Sequence, residues 1–493
     1  MSEEAGFMQP KLRFLEIELI DRIVDEARTV LAEIGIEVED EEAKALLADH
    51  GASTDGGDGR VRITSEMVDR AVQAAPSSFE LFDALGQRTH DFSGAEIHYT
   101  PASSAIQVLD RGTGEARAPV TADYLTYAKV VAGLPYIHAQ STAFIPSDVD
   151  QKIADAYRLF LSLSVCEKPV VTGAFSAEGF ALMRDLLLAV RGSEINLRKK
   201  PLAIFTCCPT SPLKWTHDGA ANLMDCARAA IPVEIVPVPL SGFMAPVTMI
   251  GTLIQHTAEV LSGVVIGQLT RPGSPMLFGG CPAVFDVRYE TAPMGAAESM
   301  MIACGTAEIG RRLGLPTQGY IGPSDAKALD AQAGLESSMG TTLAALSCFD
   351  NVSGPGMLDF INCHSTAKLV VDHEVCAMAG RLRRGMEPCE DFPSVELFRE
   401  LLSEGHLLIA DHTRSHLRKE IDFPGPVIDR AGRPRWVEEG SSTLGARAVA
   451  EVDRLVADYT PSRLSENAQC DLIDCMTIGA RRCGMDILPD RDL

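Results

Sequence analysis

The sequence predicts an α/β protein, a (β/α)8 TIM barrel with helical decorations at its amino- and carboxyl-terminal ends. Three observations favour this fold. From about residue 95, short apolar runs rich in β-forming residues alternate with longer amphipathic segments. Eight such units follow one another over about 290 residues, whereas a doubly wound open sheet usually has fewer strands. The segments before and after this region are helical or irregular instead.

The eight predicted strands are short apolar runs rich in β-forming residues. The runs occupy residues 97–105, 137–146, 168–175, 201–209, 232–240, 275–282, 316–322 and 351–360. Several begin at a proline and end in Gly, Ser, Thr or Pro, as in KPVVTGAFSAEG. Because the loops after the strands build the site in a barrel, this rim of small residues is the predicted site. The alternative is that these residues only cap helices and form tight turns.

Two decorations flank the predicted barrel domain, residues 95–385. Residues 1–94 include LEIELIDRIVDEARTVLAEIGI, with apolar positions at helical spacing, and TSEMVDRAVQAA, which opens with a threonine cap. Because the other faces of these helices are polar, we expect them to pack onto something larger. Residues 386–493 are richer in charge and include the helical pattern GARAVAEVDRLVADY, which predicts a carboxyl-terminal cap.

Composition and charge exclude several classes of partner. The 493-residue chain is 46% hydrophobic, so it buries a large core. Its formal net charge of -24 repels phosphate backbones and anionic lipids, so we expect neither nucleic acid nor membrane as a partner. The first residues, MSEEAGFMQPKLRF, carry acids where a signal peptide needs basic residues followed by an apolar run. We therefore expect a cytoplasmic protein.

The sequence does not favour a metal site. None of the 13 cysteines belongs to a CxxC pair, and a long unexported chain does not need disulfides, so free thiols are expected. His412 and His416 have the i, i+4 spacing of ligands on one helix face, with His406 nearby. Their segment is rich in Arg and Lys, which favours a solvated, ion-paired surface and a chain without bound metal.

Several ordered motifs resemble one enzyme family. Residues 236–282 contain an SGxxAPVT turn, the passage AEVLSGVVIGQLTRPGSP and then LFGG. Further along the chain stand FDVRYETAPMGAAESM, GLPTQGYIGPSDAKALDAQAGLES, PGMLDF, HSTAKLVVDHE and HTRSHLRKEIDFP. From about residue 95 to 425 the sequence resembles the trimethylamine methyltransferase family. Signatures of nucleotide enzymes, zinc proteases and α/β-hydrolases are missing from it.

The resemblance implies a function and a cofactor. Family members are barrels that take a methyl group from a methylated amine and pass it to a corrinoid (cobalamin) on a separate partner protein, so no corrinoid is expected to bind tightly to this chain. Founding members carry pyrrolysine, whereas here Gly354, Pro355 and Gly356 occupy the matching stretch. The chain thus resembles members without pyrrolysine, which implies a quaternary amine such as glycine betaine, carnitine or proline betaine.

The chemistry of a quaternary amine requires no catalytic proton donor. Cobalt(I) is a strong nucleophile, and its attack on a methyl group of a quaternary ammonium ion expels a neutral tertiary amine. The protein has to orient the substrate in a dry pocket, so we predict substrate-binding residues and no catalytic acid or base.

A quaternary ammonium ion cannot donate a hydrogen bond, so its site should combine aromatic faces with carboxylates at a distance. The candidates near strand ends are the aromatic residues Tyr99, Phe144, Phe175, Phe278, Tyr320 and Phe360, the acids Glu298 and Asp325, and Gly356. Ordinary core packing is the alternative explanation for each aromatic residue alone.

A betaine also carries a carboxylate, which requires a cation or a hydrogen-bond donor in the same pocket. Arg288 follows the sixth predicted strand, where Asp286 is placed to orient it, and His364 follows the eighth. Arg288 or His364 is predicted to bind the carboxylate. The alternative is that each is a surface or loop-anchoring residue.

Two other functions remain open at this point. A barrel lyase or aldolase needs a Schiff-base lysine at a strand end, and the nearest lysines, Lys327 and Lys368, stand in helix-like or loop contexts. A protein that binds betaines without catalysis is the second alternative. In either case, a barrel with large decorations commonly self-associates, so we expect a homo-oligomer.

Overall fold

The structure is a computed structural model that describes residues 9–54, 56–389, 392–485 and 487–489. Its strands are short. They are β1 (Glu37–Val38), β2 (Glu80–Phe82), β3 (Arg88–Asp91), β4 (His98–Thr100), β5 (Gln107–Leu109), β6 (Ala116–Arg117), β7 (Gln140–Ser141), β8 (Val170–Thr172), β9 (Ala203–Cys207), β10 (Lys214–Trp215), β11 (Val233–Ile235), β12 (Leu240–Ser241), β13 (Met276–Phe278), β14 (Ala283–Val284), β15 (Gln318–Tyr320), β16 (Asn351–Ser353), β17 (Met357–Leu358) and β18 (Cys363–His364).

Helices surround the strands and form both chain ends. They are α1 (Ile17–Thr29), α2 (Glu41–Asp49), α3 (Ser65–Ala74), α4 (Thr121–Ala132), α5 (Ala154–Val165), α6 (Ala177–Arg191), α7 (Glu194–Lys199), α8 (His217–Ala229), α9 (Met249–Thr270), α10 (Ala297–Arg312), α11 (Ala331–Leu346), α12 (Thr366–Arg384), α13 (Val395–Glu404), α14 (Asp411–Glu420), α15 (Arg433–Glu438), α16 (Leu444–Ala457) and α17 (Glu466–Arg482). Several begin at a side-chain cap. Ser176 and Thr248, for example, each accept a hydrogen bond from a backbone N–H in the first turn of α6 and α9.

Two parallel ladders contain one strand from each of the eight predicted runs. The first ladder has the order β13-β11-β9-β8-β7, and the second has the order β15-β16-β4. In register, Val171 lies opposite Ile204, and Val352 lies opposite Tyr99. A helix follows each of these strands before the next one begins. The predicted alternation of strand and helix is therefore confirmed.

A few backbone contacts join the two ladders at their edges. Phe278 and Thr317 form an isolated parallel bridge between β13 and β15. On the other side, His138 N donates a 2.8 Å hydrogen bond to the carbonyl oxygen of Tyr99, between β7 and β4. The eight strands thus follow one another in chain order around a ring, with isolated contacts instead of continuous ladders at two positions. This is the arrangement of a (β/α)8 fold.

The β2–β3 hairpin covers the amino-terminal end of the ring. Its residues Leu81 and Phe92 form a buried apolar cluster with Val171, Ile204 and Leu277 from three strands of the ring. Since this end is filled by apolar side chains, the carboxyl-terminal end is the one that a ligand can enter.

The first decoration packs on the outer helices. Helix α9 is the only helix of the described residues with the length and apolar composition of a membrane span, and it is mostly buried. It packs against α1 and α3 of the amino-terminal segment and against its barrel neighbours α8 and α10. It is therefore a core helix of the fold.

The carboxyl-terminal segment packs against other outer helices, on the opposite side of the barrel from the amino-terminal segment. Helix α16 packs against α4 and α12, and α17 packs against α5 and α6. Helix α12 ends near the amino-terminal end of the ring, because Arg383 donates to the carbonyl groups of Gly94 and Ala95 just before β4. Helices α13 and α14 follow, and none of their described residues is buried. All 13 cysteines are free thiols.

Candidate active site

A cavity of about 390 Å³ opens at the carboxyl-terminal end of the ring. Loops and strand ends from most of the eight strands contribute to it. Its lining includes Ser103, Ser104, Phe175, Thr206, Cys207, Cys208, Val236, Val238, Cys281, Tyr320 and Ile361. These side chains are apolar, aromatic, hydroxyl or thiol groups, and this is the composition of a small-molecule pocket.

Glu234 is a buried acid beneath this cavity, and it is absent from the residues predicted above. It lies at the centre of β11 and is fully buried. Thr206, which lines the cavity, donates a 2.7 Å hydrogen bond from Oγ1 to Glu234 Oε1, and Asn351 Nδ2 lies 3.5 Å from Oε2. Burial raises the pKa of Glu234 to about 7. Within the part of the chain that the structure describes, this acid forms no ion pair, so a cationic ligand can supply its counter-charge.

Tyr320 lines the cavity and is close enough to Glu234 to be influenced by its charge. Its hydroxyl group lies 3.3 Å from Ser103 Oγ, which joins the loops after β15 and β4. Burial, followed by the charge of Glu234, raises the pKa of Tyr320 well above its usual range. Burial also raises the pKa of Cys281 to about 12, so this thiol stays neutral. The cavity therefore presents aromatic, hydroxyl and thiol groups together with the amide of Asn222 and the acid Asp218, and Glu234 is the fully buried acid beneath it.

Two of the six predicted aromatic residues, Tyr320 and Phe175, line the cavity. Phe360 stands next to the lining residue Ile361, and its ring lies 3.9 Å from the Nζ atom of Lys327. The other three predicted aromatic residues lie in the core: Tyr99 against His138, Phe144 against Tyr124 and Tyr127, and Phe278 against His256.

The two predicted acids lie outside the lining of the cavity. Glu298 is exposed in the first turn of α10. Asp325 accepts hydrogen bonds from the backbone N–H groups of Met294 and Gly295, both at 2.9 Å. Burial raises the pKa of Asp325 to about 6, and the charge of Glu336 acts in the same direction. Asp325 thus joins the loop after β15 to the loop before α10.

Arg288 and His364 have different environments, because Arg288 is exposed whereas His364 is buried. The Arg288 side chain is 76% exposed, and its Nη2 atom pairs with Asp286 Oδ2 at 2.6 Å. His364 is fully buried between the rings of Tyr127 and Phe144, with centroid distances of 5.0 and 5.3 Å. Burial lowers the pKa of His364 to about 3, so the ring is neutral. It lines a second cavity, of about 350 Å³, beside the β5–β6 hairpin.

The Gly354–Gly356 stretch is tightly packed. Gly356 has a φ of +86°, and a Cβ atom added to it would lie 2.7 Å from Nε2 of His364. A Cβ atom at Gly354 would lie 2.7 Å from the carbonyl oxygen of Ile321. In addition, the N–H group of Gly356 donates a 2.6 Å hydrogen bond to Asp372 Oδ2. A long side chain at either glycine would require these neighbours to move.

The lysines of the lyase alternative have other roles. Lys368 is buried, with its Nζ atom 2.5 Å from Asp372 Oδ2 and 2.8 Å from Ser337 Oγ. Lys327 Nζ donates to the carbonyl oxygen of Asp325 at 2.7 Å. Neither lysine is part of the cavity lining.

The histidine pair noted in the sequence lies on a solvent-facing helix. His412 and His416 stack on α14 with a centroid distance of 4.8 Å, and neither is buried. Across the described ranges, no group of three or more His, Cys, Asp or Glu side chains is arranged to hold a metal ion.

The ring of parallel strands, with a cavity at its carboxyl-terminal end, defines the chain as a (β/α)8 barrel of the enzyme type. Residues 6–482 match the family described as trimethylamine methyltransferase (MTTB). The chain therefore belongs to the trimethylamine methyltransferase family, as the motifs predict.

Relatives in this family have two kinds of named substrate. The chain is 28% identical over 95% of its length to 92% of the trimethylamine methyltransferase MttB of Desulfitobacterium hafniense. It is 31% identical over 86% of its length to 88% of the trimethylamine methyltransferase MttB of Methanosarcina thermophila. A glycine betaine methyltransferase of Desulfitobacterium hafniense is 27% identical, with 95% of this chain and 97% of the relative covered.

A solved structure supports the fold. The monomethylamine methyltransferase (MtmB) of Methanosarcina barkeri superposes with a TM-score of 0.54 at 11% identity, and the match covers 96% of this chain and 89% of that chain.

Proposed function

We propose that this chain moves a methyl group from a quaternary amine of the glycine betaine type to the cobalt of a corrinoid carried by a separate protein. The main observation in support is Glu234, a buried acid without a cationic partner among the described residues, beneath a cavity lined by Tyr320 and Phe175. Aromatic faces together with a carboxylate suit a cation that cannot donate a hydrogen bond. One relative is named for glycine betaine.

The residues of this chain would bind and orient the amine. The corrinoid supplies a cobalt nucleophile that accepts the methyl group, and the C–N bond electrons stay on the departing nitrogen. Glu234 attracts the cationic substrate but not the neutral tertiary amine that remains after transfer. Its charge therefore favours substrate binding and product release. The hydroxyl groups of Ser103 and Tyr320 bond to each other, and no proton donor is needed because the departing tertiary amine is neutral.

An exposed apolar rim around the cavity supports docking of the corrinoid protein at this end. The loops after β11 and β13 expose Val238, Phe243, Val247, Val287 and Tyr289 to solvent. Soluble monomers rarely expose an apolar patch of this extent unless it binds something. Because both loops lie at the carboxyl-terminal end of the ring, beside the entrance, a partner bound there would help to exclude water from the cavity.

A second apolar surface supports self-association of the chain. On α13, Val395, Phe398 and Leu402 follow the i, i+3, i+7 spacing of one helix face, and they are 56%, 56% and 83% exposed. The helix before it, α12, ends near the amino-terminal end of the ring, where Arg383 donates to Gly94 and Ala95.

The reaction also supports a cytoplasmic location. A cobalt nucleophile and thirteen free thiols both require a reducing compartment. The negative net charge disfavours nucleic acid or anionic membrane as a partner.

Methyl transfer to a reduced corrinoid protein tests the proposal directly. Glycine betaine should bind in isothermal titration, and addition of the reduced corrinoid protein should yield methylated corrinoid and dimethylglycine in equal amounts. Binding without transfer would favour a betaine-binding protein. Transfer from trimethylamine but not from any quaternary amine would contradict the proposed substrate class.

A further inference from the structure

Arg158 is a buried guanidinium group without a counter-ion in the described part of the chain. It lies on the second turn of α5 and is 0% exposed. Its Nη1 atom donates to the carbonyl oxygen of Thr142 at 2.8 Å and to Ser104 Oγ at 3.4 Å, and Nε donates to the carbonyl oxygen of Ala154 at 3.3 Å. Its Nη2 atom is buried and has no hydrogen-bond partner among the described residues. Burial lowers the pKa of Arg158 to about 10, so the group is cationic at neutral pH.

Two lining residues separate this cation from the cavity. Ser104 and Phe175 both line the cavity and both contact Arg158. The Arg158 guanidinium carbon lies 4.6 Å from the centroid of the Phe175 ring, and Phe175 is 47% exposed. The Phe175 ring therefore lies between the guanidinium group and the cavity.

The neighbouring acid does not neutralise this cation. Asp155 Oδ1 accepts from the N–H group of Ala156 at 2.8 Å, and Oδ2 accepts from the N–H group of Phe175 at 2.9 Å. Asp155 does not pair directly with Arg158, and its charge opposes the effect of burial on the pKa of Arg158 only in part. Asp155 instead fixes the backbone of Phe175, while the aromatic ring stays on the cavity side. The Arg158 guanidinium group thus retains one N–H donor, on Nη2, without a partner among the described residues, next to the Phe175 ring.

We propose that Arg158 recognises the carboxylate of the amine substrate and that Phe175 is the movable cover over it. This inference rests on the proposed function, because it assigns the second charge of a betaine within the same cavity. Glu234 faces the ammonium group and Arg158 the carboxylate, so the site matches a zwitterion. A buried cation binds a carboxylate more strongly than an exposed one does, and the Arg288 cation is both exposed and already paired with Asp286.

A purely structural role for Arg158 makes a different prediction. Its hydrogen bonds to Thr142 and Ser104 connect the end of β7 to the loop after β4. If this were its only role, replacing Arg158 would weaken the binding of all ligands equally. A role in recognition affects only ligands that carry a carboxylate. Comparing ligands with one charge each therefore separates the two roles.

Three ligands of similar shape provide this comparison in isothermal titration. Glycine betaine carries both charges, choline lacks the carboxylate, and 3,3-dimethylbutanoate replaces the ammonium nitrogen by carbon. In Arg158→Met, the affinities for glycine betaine and dimethylbutanoate should fall about tenfold or more, while that for choline changes less than about twofold. Glu234→Gln should give the converse pattern, with weaker binding of choline and equal or tighter binding of dimethylbutanoate, because the variant no longer repels an anion.

A second variant keeps the test decisive if Arg158→Met does not fold. Phe175→Leu removes the ring that covers the guanidinium group but leaves the cation in place. It should increase the association rate of glycine betaine and dimethylbutanoate, whereas choline, which gains no access to a cation and loses one aromatic face, should not associate faster. Equal effects on all three ligands in either variant would overturn the assignment of Arg158, as would unchanged betaine binding in Arg158→Met.

Failure of the proposed function would appear differently. If the parent protein binds dimethylbutanoate through Arg158 but binds neither quaternary amine, the amine assignment is wrong while the anion site stands. If it binds choline but neither carboxylate, the quaternary amine stands and the Arg158 proposal is wrong. Absence of binding for all three ligands would contradict both.

Discussion

Glu234 accepts a 2.7 Å hydrogen bond from the Thr206 hydroxyl group, and this contact connects a fully buried acid to the wall of the cavity. An acid in this position is costly to ionise until a cation arrives. The site therefore favours the binding of a cation, and ionisation of Glu234 lowers the stability of the empty protein. Two of the predictions below follow from this relationship.

Glu234→Gln should stabilise the empty protein at pH 8. The pKa of Glu234 is about 7 in the folded state and near 4.5 when unfolded, so the folded state holds the proton more tightly. The stability that this proton contributes is complete below about pH 4.5 and is lost as the pH rises through 7. A glutamine avoids this loss, which amounts to about 2–3 kcal/mol.

Urea unfolding of the parent and the variant at pH 5 and pH 8 measures this difference. The variant should gain mainly at pH 8, whereas Glu298→Gln, at an exposed position, should change stability little at either pH. A gain of equal size at both pH values would show that ionisation of Glu234 is not the cause.

Affinity for a quaternary amine should rise with pH through neutrality. Only the ionised form of Glu234 attracts the cation, and with a pKa of about 7 roughly a tenth is ionised at pH 6 and about nine-tenths at pH 8. The dissociation constant of choline should therefore fall by up to about ninefold over this range. In Glu234→Gln the dissociation constant should be independent of pH, and a pH dependence that survives in this variant would assign the titration to another group.

The architecture was predictable because periodicity and turn residues encode it locally. Each of the eight predicted runs contains a strand of the ring. Tyr320 and Phe175 were also predictable as lining residues, since both end strand runs and the carboxyl-terminal ends of parallel strands converge.

The charged residues of the site were not predictable in the same way. Glu234 lies within the apolar run PVEIVPVPL, where one acid does not disturb the strand pattern; its isolation in a buried strand was the available signal. Arg158 lies on a helix, and which helical side chain reaches a cavity depends on packing between distant segments. His364 follows the eighth strand, but β18 pairs antiparallel with β17 and places the ring against Tyr127 and Phe144.

Gly356→Ala should destabilise the protein by about 1–3 kcal/mol. Gly356 has a φ of +86°, where an L side chain is strained, and the new Cβ atom would lie 2.7 Å from Nε2 of the buried His364. Gly334→Ala in α11 is a matched control, because no described heavy atom lies within 4 Å of its added Cβ atom and alanine favours helix. Thermal unfolding should show a lower midpoint for the first variant and an unchanged or higher one for the second. Equal midpoints would mean that the chain around His364 moves freely enough to accept the methyl group.

Replacing two residues on the exposed face of α13 should separate the subunits. Phe398 and Leu402 lie one turn apart on a helix without buried residues, and apolar side chains at this spacing bind a complementary surface in most helical interfaces. Phe398→Ser with Leu402→Ser removes this apolar face without altering the core, so fold and amine binding should be retained. Light scattering after size-exclusion chromatography should show an oligomer for the parent chain and a monomer for the double variant. Ile195→Ser, at an equally exposed apolar position on α7, should leave the oligomer intact. A parent chain that is already monomeric, or a double variant that keeps the parent mass, would show that α13 does not hold two copies together.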